Sequence, residues 1–187
     1  MSCVCGTLCS ADSFVVHALS CNKVSGYTWA SRHALVKRVF KSVLRQYGFN
    51  PDEAEPRFGN VGPDVCFQLD DAHTLVDIVV VNPLADSYVV AESRSPGSTL
   101  QGVEAMKDHR YGSATTSRRM VFHPLAITVF GTVGVDSLSL LRKCARRTAD
   151  PRGFMQHMCM ALSVAVQTGN ARMIMAAAHK WWEFGVR

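Results

Sequence analysis

The sequence predicts an α/β (α+β) protein in which a mixed sheet is flanked by helices, with a Cys-rich segment in front and a helical tail behind. Two observations lead to this fold class. A helical repeat of apolar residues is followed by short β-branched runs, another helix, another strand and a helical end. Hydrophobic residues make up 48% of the 187 residues and charged residues 19%, which is typical of a globular protein.

The first helix and the strands after it are predicted from apolar periodicity. From about Ala30 to Tyr47, apolar residues recur at helical spacing, and Gly48 is a typical residue to end the helix. Strands are predicted over residues 64–69 and 75–81, with a tight turn at Asp70-Asp71 between them. A weaker strand signal lies near residues 54–58.

The second half of the chain predicts a loop, one more strand and several helices. The Ser-, Pro- and Gly-rich residues 87–98 favour a loop, and Pro124 within the strand favours a bulge or a sheet edge. Gly169-Asn170 predicts a break between the last two helices. The predicted elements are a helix over 99–111, a strand over 120–130, and helices over 135–147, 151–168 and 171–184.

Composition restricts the partners and the compartment. The formal charge of +5 mildly favours polyanionic partners. No apolar run reaches the roughly 18–20 residues that cross a bilayer, so no membrane partner is expected. Cys66, Cys144 and Cys159 lie in apolar runs, as buried free thiols do, which favours an intracellular, reducing compartment.

Two aspartates lie where neighbouring strands could bring them together. Asp64 begins one predicted strand and Asp77 lies within the next, among β-branched residues. Two carboxylates at one sheet edge can hold Mg²⁺ or Mn²⁺, which would activate water at a phosphate. An aspartate at a strand edge that pairs with an arginine is an equally good interpretation.

The helix that follows carries charged residues on neighbouring faces. Glu104, Lys107, Arg110 and Tyr111 are three, four and seven residues apart. A cation there could hold a phosphate or orient water. An exposed Glu104–Lys107 ion pair on a surface helix is the simpler alternative.

Basic residues also line the first helix. Candidates for nucleic-acid contact are Arg32, His33, Lys37, Lys41 and Arg45. A solvated face is the alternative for the last three, and His33 is more simply a residue of the first helical turn.

The N-terminal segment is rich in soft metal ligands. Cys3, Cys5, His17 and Cys21 could form a tetrahedral zinc site, since zinc prefers four thiolate and imidazole ligands. Cys9 could replace Cys3 or Cys5. The sequence therefore predicts a structural Zn²⁺ ion in a zinc knuckle.

The order of these motifs resembles the C-terminal restriction-like endonuclease region of non-LTR retrotransposons and related reverse-transcriptase-associated proteins. In that family a Cys/His knuckle precedes an Arg-His pair, a Pro-Asp, a second Asp and a Lys-x-x-Lys-Tyr helix. The matching residues are Cys3-Val4-Cys5-Gly6, His17 through Cys21, Arg32-His33, Pro63-Asp64, Asp77 and Lys107 through Tyr111, with Arg110 at the second Lys. Residues 122–131 and 167–171 also resemble the family, so the likeness covers nearly the whole chain.

The resemblance implies a PD-(D/E)XK restriction-endonuclease-like core. It implies a zinc-knuckle segment over 1–28, the core over 29–133 and a helical extension of the same domain over 134–187. Asp64 and Asp77 would bind the metal, with Lys107, and Arg110 as a second candidate, supplying the catalytic cation. Val79 replaces the lysine of a standard Asp-x-Lys strand.

The function implied is a retrotransposon-derived, metal-dependent DNA endonuclease that nicks a target. No reverse transcriptase lies within the 187 residues, so the chain is expected to be a fragment or a free-standing, domesticated copy. An inactive copy would serve instead as a structural or nucleic-acid-binding subunit of a ribosome or another ribonucleoprotein, with RNA and protein partners. A nuclear location is expected for the nuclease, and an organelle is an option for the subunit.

Overall fold

The computed structural model describes residues 3, 5–21, 23, 27–55, 62–116 and 120–185. Within them the chain is mixed α+β, and a three-stranded sheet is flanked by helices. The elements are α1 (Ala11–Ala18), α2 (Trp29–Gln46), β1 (Val65–Leu69), β2 (Ala72–Val81), α3 (Val89–Arg94), α4 (Ser98–Thr116), β3 (Met120–Thr128), α5 (Val135–Ala145) and α6 (Pro151–Gly185). No helix in these ranges is long and apolar enough to cross a membrane.

The sheet has the order β1-β2-β3, with β2 in the centre. β1 and β2 form an antiparallel hairpin, and Asp70 occupies the left-handed region at the turn with a φ of 56°. β3 runs parallel to β2, which requires the crossover that α3 and α4 supply. Pro124 lies on β3 at the edge of this sheet, where its missing N–H does not interrupt a ladder.

The two faces of the sheet meet different helices because side chains alternate along a strand. Val76 and Ile78 of β2 face the main core with α2, α5 and α6. Val79 and Val81 belong to a smaller cluster with Leu100 and Val103 of α4. Asp77, in phase with Val79, therefore faces α4.

Three segments differ from the sequence prediction. Residues 87–98 contain the short helix α3, and the Glu92 carboxylate accepts hydrogen bonds from the N–H groups of Gly97 (2.7 Å) and Thr99 (2.9 Å). The predicted break at Gly169-Asn170 is wrong, because α6 continues through it. Of the weak strand near residues 54–58, residues 54 and 55 are not in a strand and the rest lies outside the described residues.

Continuity of α6 follows from its packing against α2. A Cβ atom on Gly169 would lie 2.4 Å from Cγ of Arg32, so the glycine permits close approach of the two helices. Asn170 is buried, accepts a hydrogen bond from Arg32 Nη1 (2.9 Å) and donates one to the Val129 carbonyl (2.6 Å). Both residues serve tertiary contacts rather than a helix end.

Candidate active-site cleft and metal cluster

Three elements bring Asp64, Asp77 and Lys107 to one cleft of about 240 Å³. Asp64 immediately precedes β1, Asp77 lies in the centre of β2, and Lys107 comes from α4. His33 of α2 lines the same cleft. These are residues that the sequence singled out, and the hairpin and the crossover helix bring them together.

Asp64 is held from two sides. Its Oδ2 accepts a hydrogen bond from the backbone N–H of Ile78 at 2.7 Å and one from His33 Nε2 at 3.0 Å. Its Oδ1 lies 3.6 Å from Lys37 Nζ. Burial alone would raise the pKa of Asp64, but His33, the Ile78 N–H and Lys37 together lower it. The hydrogen bond to Asp64 raises the pKa of His33 in turn, against the opposing effect of burial.

Asp77 is 6% exposed and also has two partners. The Tyr111 hydroxyl donates a hydrogen bond to Oδ1 at 2.7 Å, and Lys107 Nζ lies 2.5 Å from Oδ2. The lysine has the distance of an ion pair without the direction of a hydrogen bond, so Oδ2 accepts no hydrogen bond from the described residues. Burial, followed by the bond to Asp77, raises the pKa of Tyr111.

One oxygen of each carboxylate is therefore free of hydrogen bonds from the described residues: Asp64 Oδ1 and Asp77 Oδ2. Hard oxygen ligands of this kind are what Mg²⁺ and Mn²⁺ prefer. The donor set fits a divalent cation that keeps several waters, because Mg²⁺ commonly uses only one or two carboxylates.

Tyr111 is a residue of this site to which the sequence alone assigned no role. Its signal was the spacing of four from Lys107, which places both side chains on one face of α4. Arg110, by contrast, is exposed, lies with its guanidinium 5.8 Å from the Tyr111 ring centroid, and does not line the cleft.

The expected exposed Glu104–Lys107 pair is wrong. Glu104 is 2% exposed and accepts hydrogen bonds from the N–H (3.0 Å) and hydroxyl (2.7 Å) of Ser137 at the start of α5. A Cβ atom on Gly134 would lie 2.0 Å from this carboxylate. Glu104 thus caps α5, because a helix N-terminus carries unpaired N–H groups.

Lys37, Lys41 and Arg45 of α2 have partners within the chain. Lys37 pairs with Glu55, Arg45 with Glu53 at 2.7 Å, and Lys41 donates to the carbonyls of Asp52 and Glu53. Arg32 is buried against Asn170 rather than presented on the surface. These side chains hold the 52–55 segment against α2, and their contact with nucleic acid stays a prediction.

A second site lies at the N-terminal end. Cys3, Cys5, His17 and Cys21 place their ligand atoms within 4.8 Å of one another. The Cys3 and Cys21 sulfurs are 3.7 Å apart, and Cys5 Sγ lies 3.3 Å from His17 Nε2. A tetrahedral zinc ion with Zn–S bonds of ~2.3 Å separates two sulfurs by about 3.8 Å. The four residues could therefore hold a metal such as zinc.

Two cysteines of this cluster differ in acidity. Burial raises the pKa of Cys3 to about 11, whereas the Thr7 hydroxyl lowers the pKa of Cys5 to about 6. A metal bound there would replace the protons of its thiol ligands. Cys9 is buried, and its sulfur lies 3.9 Å from the Thr7 carbonyl, outside the four-residue cluster.

No other group of three or more Cys, His, Asp or Glu ligands of this kind occurs in the described parts of the chain. No family model matches the sequence, and no curated protein matches it.

Proposed function

We propose that this protein is a metal-dependent DNA endonuclease with a PD-(D/E)XK-type core. The observation that supports it is the convergence of Asp64, Asp77 and Lys107 from three elements on one cleft. A helix, a strand pair, a second helix and a parallel strand follow one another in the described residues, which is the order of such a core except that two strands rather than three precede the second helix. We further propose that Cys3, Cys5, His17 and Cys21 hold a structural Zn²⁺ ion.

In this proposal Asp64 and Asp77 hold Mg²⁺ or Mn²⁺ through the oxygens that accept no hydrogen bond from the described residues. When bound, the metal supplies a Lewis acid at the phosphate and lowers the pKa of water. His33 and the Ile78 N–H fix the orientation of the Asp64 carboxylate. Tyr111 does the same for Asp77.

Lys107 supplies positive charge where the phosphate becomes more negative. Its ammonium lies against Asp77 and faces the cleft, within reach of a non-bridging phosphate oxygen. Hydrolysis forms one P–O bond to a water oxygen and breaks one P–O ester bond, and the leaving oxygen takes up a proton. Lys107 stabilises the charge of this step without forming a bond.

A second candidate is an inactive copy that serves as a structural or nucleic-acid-binding subunit of a larger assembly. The observation that favours it is that both carboxylates already have cationic neighbours within the chain: Lys107 beside Asp77, and His33 and Lys37 beside Asp64. Cationic side chains that neutralise these carboxylates would allow the protein to fold without a metal at this site.

Nicking of supercoiled plasmid with Mg²⁺ or Mn²⁺ separates the two candidates. We expect the wild type to nick, Asp77→Asn and Asp64→Asn to nick about a hundredfold more slowly or not at all, and Asp71→Ala to match the wild type. Asp71 is a matched control because it is an exposed aspartate of the β1–β2 turn and does not line the cleft.

Folding is checked by circular dichroism and zinc content by elemental analysis, so that loss of nicking is not mistaken for loss of structure. A folded wild type that never nicks DNA would exclude the endonuclease and support the subunit. Nicking that persists in both asparagine variants would exclude this metal site while leaving another nuclease centre to be found.

A further inference from the structure

The proposed active-site cleft adjoins a second, larger cavity on the other side of a shared wall. This second cavity, here called the apolar groove, measures about 410 Å³. Both cavities are lined by Trp29, Arg32, Val79 and Val80. The cleft carries the carboxylates and Lys107, whereas most of the groove's lining is apolar. The charged cleft suits a phosphate, and the adjoining apolar groove suits a flat apolar group.

We propose that the apolar groove binds an unpaired base next to the scissile phosphate, so that the substrate is single-stranded DNA or DNA with a base out of the stack. This inference rests on the proposed nuclease function and specifies its substrate class. A nucleotide is a molecule in which a charged phosphate and an aromatic base are joined by one sugar, and the two adjoining cavities match that division.

The walls of the groove have the chemistry of a base-binding site. Apolar surface comes from three elements or their ends: Leu19 at the end of α1, Tyr88 at the start of α3, and Val103 and Met106 of α4. Trp29 stands at the shared wall with 52% of its surface exposed, and Met106 is 56% exposed. An exposed indole is a stacking platform for a base, and such stacking contributes ~1–3 kcal/mol per base.

Arg32 makes the shared wall electropositive. Its side chain is 3% exposed, and its hydrogen-bond acceptor among the described residues is the neutral Oδ1 of Asn170. Burial lowers the pKa of Arg32 to about 10, which leaves the guanidinium charged at neutral pH. A buried cation without a carboxylate partner in the described chain favours an anion nearby. The phosphate of a bound nucleotide would lie beside it.

Paired DNA does not fit this arrangement. In a duplex the faces of the bases are covered by their neighbours, so a base reaches an aromatic platform only when it leaves the stack. Duplex binding would depend instead on cations along the backbone. Lys37, Lys41 and Arg45 of α2, which might supply them, are paired with residues 52–55, and Arg38 is the exposed cation of α2 that the structure does not pair with that segment.

The test measures binding of a fluorescent oligonucleotide of about 12 nucleotides, as a single strand and as a duplex of the same sequence, without added Mg²⁺. We expect Trp29→Ala to weaken single-strand binding by about 5- to 100-fold and to change duplex binding by less than about twofold. Trp29→Phe keeps an aromatic face and should restore most of the affinity.

Phe130→Ala is the matched control. Phe130 is an aromatic residue of similar exposure, 54%, that lines neither the cleft nor the groove. We expect it to leave both affinities unchanged. Thermal melting of each variant shows whether the fold is intact, since an exposed first-turn residue such as Trp29 should be replaceable.

The outcomes separate this inference from the function on which it rests. A Trp29→Ala variant that binds single strands as the wild type does, or loses both DNA forms equally, overturns the base-binding groove while plasmid nicking can still succeed. A wild type that binds neither form and nicks nothing overturns the nuclease proposal and the groove with it.

Discussion

Asp77 is an ionisable side chain in the middle of the central strand, with Val76 and Ile78 on either side. An ionised carboxylate at such a position is costly unless charge and hydrogen bonds compensate it. Lys107 supplies the charge and Tyr111 supplies the hydrogen bond. Tyr111 is itself fixed, because its ring stacks on Phe122 at a centroid distance of 4.4 Å. The carboxylate is thus held in place by residues of the chain itself.

Removal of the Tyr111 hydroxyl should therefore destabilise the fold. We expect Tyr111→Phe to lower the free energy of unfolding by about 1–3 kcal/mol, because a buried carboxylate oxygen loses its donor. Urea unfolding measures the difference. Tyr47→Phe makes the same chemical change at a tyrosine whose ring packs edge-on against Phe154 and whose hydroxyl has no hydrogen-bond partner among the described residues. We expect that control to change stability by less than about 0.5 kcal/mol. Equal losses in both variants would mean that the bond to Asp77 contributes nothing.

The sequence predicted part of this site and could not predict the rest. Helical spacing predicts that Lys107 and Tyr111 lie on one face of α4. Their partner could not be predicted, because Asp77 is 30 or more positions away and the choice between Asp77 and Glu104 depends on how α4 crosses the sheet. Glu104, three residues before Lys107, meets the start of α5 instead.

At the scale of elements, the contact between α2 and α6 depends on a glycine. Arg32 of α2 lies against Gly169 and bonds to Asn170, and Asn170 in turn bonds to the end of β3 at Val129. The contact fixes α2, which carries His33, against α6, the last helix. Because Arg32 also lines both cavities, this packing determines the position of the wall that the cleft and the groove share.

Two glycine substitutions should change the stability of the protein in opposite directions. Gly169 lies in this contact, whereas Gly102 lies outside it and serves as a comparison. Gly169→Ala should destabilise the protein by about 1–3 kcal/mol, because its Cβ would collide with the Arg32 side chain. Gly102→Ala, in α4, meets nothing within 4 Å and should stabilise by about 0.5–1 kcal/mol through helix propensity. Thermal or urea unfolding gives both values. A Gly169→Ala variant more stable than the wild type would show that the two helices do not need this close approach.

Elements that bury one regular face can be predicted from the sequence, whereas elements that depend on contacts between distant residues cannot. Hydrophobic periodicity located α2, the β1–β2 hairpin and β3 correctly, because each buries one regular face. Gly169-Asn170 has the composition of a helix end, and only the buried Arg32 explains why α6 passes through it. The helix α3 was missed because the Glu92 carboxylate that caps the next turns acts across five to seven residues.

Across the whole molecule, the cluster of Cys3, Cys5, His17 and Cys21 lies against α6, the last helix of the chain. Cys3, Ala18 and Cys21 form a small apolar cluster with Ala177 of α6, separate from the main core. Asn82, just past β2, donates hydrogen bonds to the Val16 carbonyl (3.2 Å) and the Ser20 hydroxyl (2.9 Å). The end of α1 is thereby held against the sheet, where Leu19 and Ser20 line the apolar groove.

This arrangement predicts a local response to metal removal. A small cluster of four buried residues can contribute little stability alone, so the segment should depend on the proposed Zn²⁺ ion. We expect about one zinc per chain. After chelation, faster hydrogen exchange should appear in residues 5–21 and near Ala177, while α2 and β2 stay protected because the main core is independent of the cluster. Cys21→Ser should lose the metal, and Cys9→Ser, a buried cysteine outside the cluster, should keep it.

The same experiment connects the metal to the groove. Because Leu19 and Ser20 form part of its wall, loosening of α1 should weaken single-strand binding by several-fold and leave the Asp64–Asp77 cleft folded. Hydrogen exchange unchanged by chelation would show that the cluster folds without metal. Hydrogen exchange that becomes faster throughout β2 and α2 would show instead that the proposed metal also stabilises the main core. The main core and the small N-terminal cluster would then unfold together rather than independently.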